Sequence, residues 1–369
     1  MIDRRLIQNF DWTLLMLTLI ITAIGIINLY SATFPQQNPI WIKQLYWFIL
    51  GYIALILVFT LNYKHLENFA YHLYALSLLL LIVVLLFGRT ILGSRRWIEL
   101  GLISFQPSEI MKITFVLALA RYFSRNPVRS GYSLKNLLVP LMFLMVPFCL
   151  IIMEPDLGTA LILCIIFLSM LLFLGARWRS FIIMIVGLIL TLPAGWLLLK
   201  DYQRMRVIAF FNPANDPLGA GYHAIQSKIA VGSGLLWGKG FLKGTQSQLN
   251  FLPEHHTDFI FSVLAEEWGF LGSTILIGLY VALIFYGLRV AKRSKDRFGT
   301  ILALGIVCVI FWQVVINIGM TIGLVPIVGV PLPLISYGGS STLSMLLGIG
   351  ILLNISARRF MFQSGRLGF

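Results

Sequence analysis

Apolar residues fall in ten long runs along the chain, near 13–33, 43–62, 68–88, 107–123, 136–153, 158–175, 180–199, 269–288, 300–323 and 340–357. Nearly every run is bounded by charges, proline or glycine. A helix needs roughly 20 mostly apolar residues to cross the hydrocarbon core of a bilayer, so each run predicts one spanning helix. The first, from Trp12, is too long for a signal-peptide core, and no small-residue cleavage pattern follows it before Pro35. The pattern predicts an all-α polytopic membrane protein of about ten transmembrane helices, a single integral membrane domain over 1–369.

Three outer segments break the rhythm. The first, 89–106, reads RTILGSRRWIELGLISFQ. The second, 201–258, joins spans 7 and 8 and is rich in Gly, Gln, Asn and charge. Connections in compact proteins have a median of about 4–6 residues, so a loop this long suggests function. Within it, YHAIQSKIAV (222–231) sets Tyr222, Ile225 and Ile229 on one helical face and Gln226, Ser227 and Lys228 largely on the other. That spacing fits an interfacial amphipathic helix or a loop helix packed on the bundle. The third segment, 324–340, is apolar yet holds three prolines. Irregular backbone at membrane depth survives only where it is buried in protein or lines a cavity. Pro326, Pro331, Pro333 and Gly338–Gly339 therefore predict a re-entrant wall. No internal repeat is visible, which weakens an inverted-repeat transporter.

Composition agrees: 59% of residues are hydrophobic and 11% charged, against about 45–50% and 25% in soluble domains. A net charge of +14 would suggest nucleic acid, but its distribution argues otherwise. With the N-terminus placed inside, 17 of the 28 Lys and Arg fall on short inner segments, and ten of the 14 acidic residues fall on the outer half. This is the positive-inside pattern with both termini cytoplasmic, together with attraction to anionic lipid. Nucleic acid is not implied. Cys149, Cys164 and Cys308 are scattered through apolar runs and read as packing residues.

Charges inside a bundle are expensive and tend to be functional. Glu109 and Lys112, three apart, share a face of the fourth span and can pair, either to pin the helix or to place Lys112 in a polar groove. Pro107 suits the first turn of that helix. Asp156, in EPDLGTA (154–160), fits a helix cap better than a catalyst. The long loop carries Arg204, Arg206, Lys228, Lys239 and Lys243 among glycines that let backbone approach an anion. Basic residues outside the membrane run against the positive-inside trend, and an anionic substrate such as a lipid pyrophosphate accounts for them. The loop ends in Glu254, His255, His256, Thr257 and Asp258. Thr257 or Asp258 could cap the next helix, and Asp258 could equally act as a general base once substrate excludes water. The spacing of His255, His256 and Asp258 fits no familiar zinc site. Glu266 and Glu267 fit orienting roles.

Taken together, RRWIELG (95–101), FQPSE with Lys112, EPDLGTA, DPLGAGYHAIQSKIAVGSG (216–234), LPEHHTDFIFSVLAEE and GVPLPLISYGGSS resemble the SEDS family, the shape, elongation, division and sporulation proteins. The likeness covers nearly the whole chain in order. GKGFLKGTQSQLNFLPE (238–254) is similar to the elongation branch of that family. The resemblance implies a peptidoglycan glycosyltransferase that polymerises lipid II at the outer face of the cytoplasmic (inner) membrane during elongation. It implies inverting transfer with Asp258 as general base, and release of undecaprenyl pyrophosphate. Arg95, Arg96, Glu109, Lys112, Arg204, Arg206, Lys228, Lys239 and His256 would hold the substrate, with Asp156, Pro107, Gly338 and Gly339 structural. The expected partner is a class B penicillin-binding protein, the transpeptidase, among other elongation-complex membrane proteins. No dedicated metal site or cofactor is expected, although Mg or Mn could accompany the pyrophosphate. Two competing readings are a lipid II flippase and a non-catalytic scaffold for the penicillin-binding protein.

Overall fold

The computed structural model describes residues 8–34, 40–91, 94–100, 103–128, 131–213, 216, 219–248 and 256–359. Helices α1 (Trp12–Thr33), α2 (Ile40–Thr60) and α3 (Tyr63–Phe87) lead into three short strands, β1 (Arg89–Ile91), β2 (Ser94–Leu100) and β3 (Ile103–Phe105). Then follow α4 (Pro107–Arg125), α5 (Leu134–Met153), α6 (Leu157–Phe173) and α7 (Trp178–Leu198). The long loop holds α8 (Asp201–Phe211), α9 (Ala220–Ser233) and α10 (Thr245–Gln248). Helices α11 (Ile260–Arg293), α12 (Arg297–Thr321) and α13 (Gly339–Arg358) complete the bundle.

Among the described residues, ten helices of 17 to 34 residues overlap the predicted apolar runs, and several of their starts are chemically marked. Asp11, Asn62, Asp156 and Asp296 each accept a backbone N–H from the first turn of α1, α3, α6 and α12, and Pro107 opens α4. These groups satisfy donors that a helix start leaves orphaned. Among the described residues, eight of the helices are long and apolar enough to span a bilayer. Helix α6 is shorter, and α4 carries Glu109, Lys112, Arg121 and Arg125. Large apolar side chains stay exposed around the perimeter, among them Ile56, Leu79, Leu190 and Phe285. Helices apolar on every side require lipid as their outer solvent, so the chain is a multi-pass all-α membrane protein.

The centre of the bundle differs from its rim. Helices α4, α12 and α13 bury most of their residues, whereas α7 sits at the edge. Strands β1, β2 and β3 pair antiparallel in the order β1-β2-β3. Helix α11 is one rod broken at Gly269, where φ is 66° and ψ −161°. That left-handed conformation favours glycine, and the backbone groups it frees are taken up by the long loop. Lys239 N and Gly240 N donate to the carbonyls of Glu266 and Glu267, while Phe270 N and Leu271 N donate to those of Leu235 and Leu236. The loop is therefore docked by backbone on the kink. The segment 324–337 has no helix, yet Val330, Leu332, Leu334 and Ile335 are buried, as a re-entrant wall demands.

Candidate active site beside the broken segment

Three consecutive carbonyls fix the turn that precedes α11. His256 O accepts from Tyr337 N at 2.9 Å, Thr257 O from Ser336 Oγ at 2.6 Å, and Asp258 O from Asn317 Nδ2 at 2.9 Å. The same Asn317 amide donates to Val330 O at 2.7 Å, and Ser336 Oγ accepts from Leu332 N at 2.8 Å. The turn is thereby stitched to both α12 and the broken segment. The N-cap of α11 falls on Phe259, with no side-chain hydrogen bond. The helix thus begins one residue later than the sequence suggests.

Gly329 shows where the Asp258 carboxylate lies. A Cβ built on this glycine would stand 3.3 Å from Asp258 Oδ2 and 3.8 Å from Arg206 Nη1. The φ of Gly329 is +71°, a conformation that side chains rarely adopt. A carboxylate from the end of the long loop and a guanidinium from α8 therefore converge on one bare backbone position. Two crevices share Arg206, Pro326 and Ile327. One is lined by Arg206, Ala224, Lys228, Gly323 and Pro326, the other by Arg96, Gly158, Tyr202, Arg206 and Pro326. Arg206 is common to both, so Arg96, Arg206 and Lys228 flank one continuous edge of the broken segment. Three cations along two adjoining crevices, with the Asp258 carboxylate near the Arg206 they share, suit an anionic substrate that must also lose a proton.

Arg96 has a second task. Its guanidinium pairs with Asp156 Oδ1 at 3.7 Å and donates to the carbonyls of Glu154 and Pro155. Tyr202 Oη donates to Pro155 O at 2.9 Å. Asp156 caps α6 through Thr159 N and Thr159 Oγ1 and accepts from Gln106 Nε2 at 3.2 Å. The EPD turn is thus a buried joint between α5, α6, the sheet and α8. Inside it, burial and the neighbouring Asp156 push the Glu154 carboxyl up to about 9, against the opposing pull of Arg96.

The other candidates lie elsewhere. Glu109 and Lys112 are buried and bond each other at 2.8 Å, and Ser344 Oγ donates to Glu109 Oε2 at 3.3 Å. They tie α4 to α13 and line neither crevice. Arg204 turns back onto the end of α7, donating to the carbonyls of Trp196 and Leu197. Lys239 pairs at 2.6 Å with the buried Glu266, which also accepts from Thr245 and Gln246, so this cation anchors the loop. Glu267 accepts from Ser31 Oγ at 2.5 Å. Arg95 and Lys243 are exposed, and the His256 ring lies 6.1 Å from that of Tyr337. Gly338 N donates to Gln44 Oε1 at 3.1 Å, and Gly339 lies against the Trp47 ring. Glu254 and His255 fall outside the described residues. Along α9, Ile225 and Ile229 are exposed while Ser227 is buried and donates to Thr321 O at 2.8 Å. The residues that sequence reasoning passed over are Asn317, Ser336 and Gln44. Their signal was available: uncharged polar groups in otherwise apolar stretches, which in a bundle face a partner.

Comparison with known proteins places this architecture. The cell cycle protein family model FtsW/RodA/SpoVE matches residues 9–360. Peptidoglycan glycosyltransferase MrdB of Escherichia coli K12 is 42% identical over 356 residues, covering 96% of this chain and 95% of that protein. The crystal structure of the Thermus thermophilus rod shape determining protein RodA matches with a TM-score of 0.73 at 31% identity, covering 95% of this chain and 98% of that one. A structure described as the structural coordination of polymerization and crosslinking by a peptidoglycan synthase complex matches with a TM-score of 0.82 at 34% identity, with the same coverage. Sequence and three-dimensional likeness both extend over almost the whole chain, and the protein belongs to the FtsW/RodA/SpoVE family of cell cycle proteins.

Proposed function

We propose that this chain is a peptidoglycan glycosyltransferase of the elongation type, polymerising lipid II at the outer face of the cytoplasmic membrane. The observation that carries the reading is the convergence of Asp258 Oδ2 and Arg206 Nη1 on Gly329, with Arg206 shared by two crevices that Arg96 and Lys228 also line. The 4-hydroxyl of the acceptor glycan attacks the anomeric carbon of the donor sugar. The bond from that carbon to the pyrophosphate oxygen breaks with inversion, and the hydroxyl proton passes to the Asp258 carboxylate. Undecaprenyl pyrophosphate already leaves well, so one positioned base suffices. Arg96, Arg206 and Lys228 neutralise the pyrophosphate as its charge develops.

A cationic lining of this kind fits an anion better than a metal. Any Mg or Mn ion would arrive on the pyrophosphate as part of the substrate. The docked loop and the broken segment supply walls that exclude water. A class B penicillin-binding protein is the proposed partner, joining the new strands to existing wall.

The purified full chain supplied with lipid II should make glycan polymer, and Asp258→Asn should lower the rate by about 100-fold or more. Polymer from that variant at the rate of the unaltered protein would remove Asp258 from the role of base. No polymer from the unaltered protein, even with its penicillin-binding partner added, would favour a flippase or a scaffold instead.

A further inference from the structure

A second cavity, of about 340 Å³, opens at the far end of the bundle. It is lined by the residues that lead into and open α1 (Asn9 to Thr13), the last turns of α11 (Tyr286, Arg289, Val290, Arg293), and Ser356 and Arg359 at the end of α13. Helix α11 begins beside Asp258 and ends at this cavity. From Gly269 to Arg293 alone it climbs on the order of 35 Å, about the thickness of a bilayer core, so the two sites face opposite surfaces of the membrane.

Among the described residues the lining is mainly cationic. Arg289, Arg293 and Arg359 line it, with Asp11 as the acidic residue among the described lining. Both Asp11 oxygens already accept hydrogen bonds, Oδ1 from Leu14 N at 3.2 Å and Oδ2 from Ser356 Oγ at 3.4 Å. Burial, followed by repulsion from Arg293, lowers the affinity of Arg359 for its proton; Asp11 opposes this and Arg289 adds to it. Like charges crowd together here because an anion is their natural complement.

The rim has a second character. Trp12 lines the cavity, and Trp12, Met16 and Leu19, spaced i, i+4, i+7, form an exposed apolar stripe leading away along α1. Val281, Phe285 and Leu288 form the matching exposed stripe on α11, the helix against which α1 packs. Tryptophan at the join of a polar cavity and an apolar surface is the pattern of a membrane–water interface. A small soluble phosphate would need the arginines alone; a phosphate carrying acyl chains would use the stripes as well.

We propose that this cavity binds the phosphodiester headgroup of an anionic phospholipid, with Arg289, Arg293 and Arg359 on the phosphate and the acyl chains along the α1 and α11 stripes. The site is independent of the glycosyltransfer reading and lies on the other face of the membrane. A resident lipid there would lock the ends of α1, α11 and α13 together, three helices far apart in the chain. Arg289 and Arg293 are the specificity-determining pair, because both sit on one face of α11 and neither forms part of the crevice beside Asp258.

The test uses the full-length chain in neutral detergent, with lipid retention read by native mass spectrometry. Phosphatidylglycerol should be retained in clear preference to phosphatidylcholine of the same acyl chains. Each arginine near a membrane surface contributes roughly a five-fold gain for anionic lipid, so Arg289→Gln with Arg293→Gln should weaken retention by about 25-fold. The paired control Lys292→Gln with Lys295→Gln removes the same charge from residues that do not line the cavity, and should change retention less than about three-fold. Equal loss in both pairs, or equal retention of the two lipids, would overturn the site. A further arm adds millimolar inorganic phosphate in place of lipid. Thermal protection by phosphate equal to that by phosphatidylglycerol would overturn the lipid assignment in favour of a free anion. Should the double variant not fold, Arg293→Gln alone carries the comparison, with a five-fold loss expected.

Discussion

Asn317 Nδ2 donates at 2.9 Å to the carbonyl of Asp258 and at 2.7 Å to that of Val330, so one buried amide ties the backbone of the proposed base to the broken segment. Replacing it with leucine removes both bonds and leaves two acceptors without this donor, one buried and one part-buried. Each orphaned acceptor costs about 1–3 kcal/mol, so Asn317→Leu should unfold at a temperature several degrees lower. Turnover should fall further than stability alone explains, by about 10- to 100-fold, because a shift of the order of 1 Å at a reacting group has that effect. Initial rates of lipid II polymerisation, measured well below the unfolding temperature, separate the two. A rate within two-fold of the unaltered protein would mean that the carboxylate does not depend on this tether.

Gly329 offers a cleaner cut. A methyl group there would press on Asp258 Oδ2 at 3.3 Å while forcing alanine to a φ of +71°. The conformation costs roughly 1–2 kcal/mol, and the carboxylate must move. Gly329→Ala should therefore lose most of its polymerase activity while remaining folded. Gly232→Ala, in α9 with open space around its Cα, should retain activity and gain up to about 1 kcal/mol of helix stability. The two alanines are chemically identical, so a shared loss of activity would show that the effect is not local to Asp258.

The loop cations can be sorted in the same way. Arg204 donates to the Trp196 and Leu197 carbonyls and pairs with the exposed Asp201, whereas Arg206 borders both crevices. Arg206→Gln should raise KM for lipid II and lower kcat together, by about 10-fold or more in kcat/KM, since it would lose contact with both bound and departing pyrophosphate. Arg204→Gln should leave kcat/KM within about three-fold. Steady-state kinetics on the two variants decide the matter, and the reverse order would move the anion site to the α7 end of the loop.

How much of this was legible beforehand follows from the physics of each feature. Spans were legible because lipid imposes a length and a composition that short-range reading detects, and caps such as Asp156 because they act within three residues. The buried Glu109–Lys112 pair was legible for the same reason of spacing. Arg204 and Arg206 could not be told apart, because two positions on one helix differ only in what the fold brings to each face. Asn317 reaches Asp258 from far along the chain, and no local pattern announces that contact. The sheet at 89–105 was missed because its strands are short and are set by packing against helices rather than by their own alternation.

Glu154 supplies a prediction that rests on pH. Its side chain is wholly buried in the turn between α5 and α6, and neither carboxyl oxygen finds a hydrogen-bond partner among the described residues. Burial, then Asp156, raises its carboxyl from an ordinary 4.5 to about 9. Between those values the folded protein keeps a proton that the unfolded chain has released. Stability should therefore decline as pH rises through this window, at up to about 1.4 kcal/mol per pH unit, and the decline should end once the folded carboxyl ionises near pH 9. Glu154→Gln keeps the shape of the neutral acid and has no proton to lose. Thermal unfolding of the two proteins in detergent should coincide near pH 5 and diverge by several degrees at pH 9, with the glutamine variant the more stable. Parallel curves across pH 5–9 would mean that Glu154 is already ionised in the folded state, with Arg96 outweighing the burial.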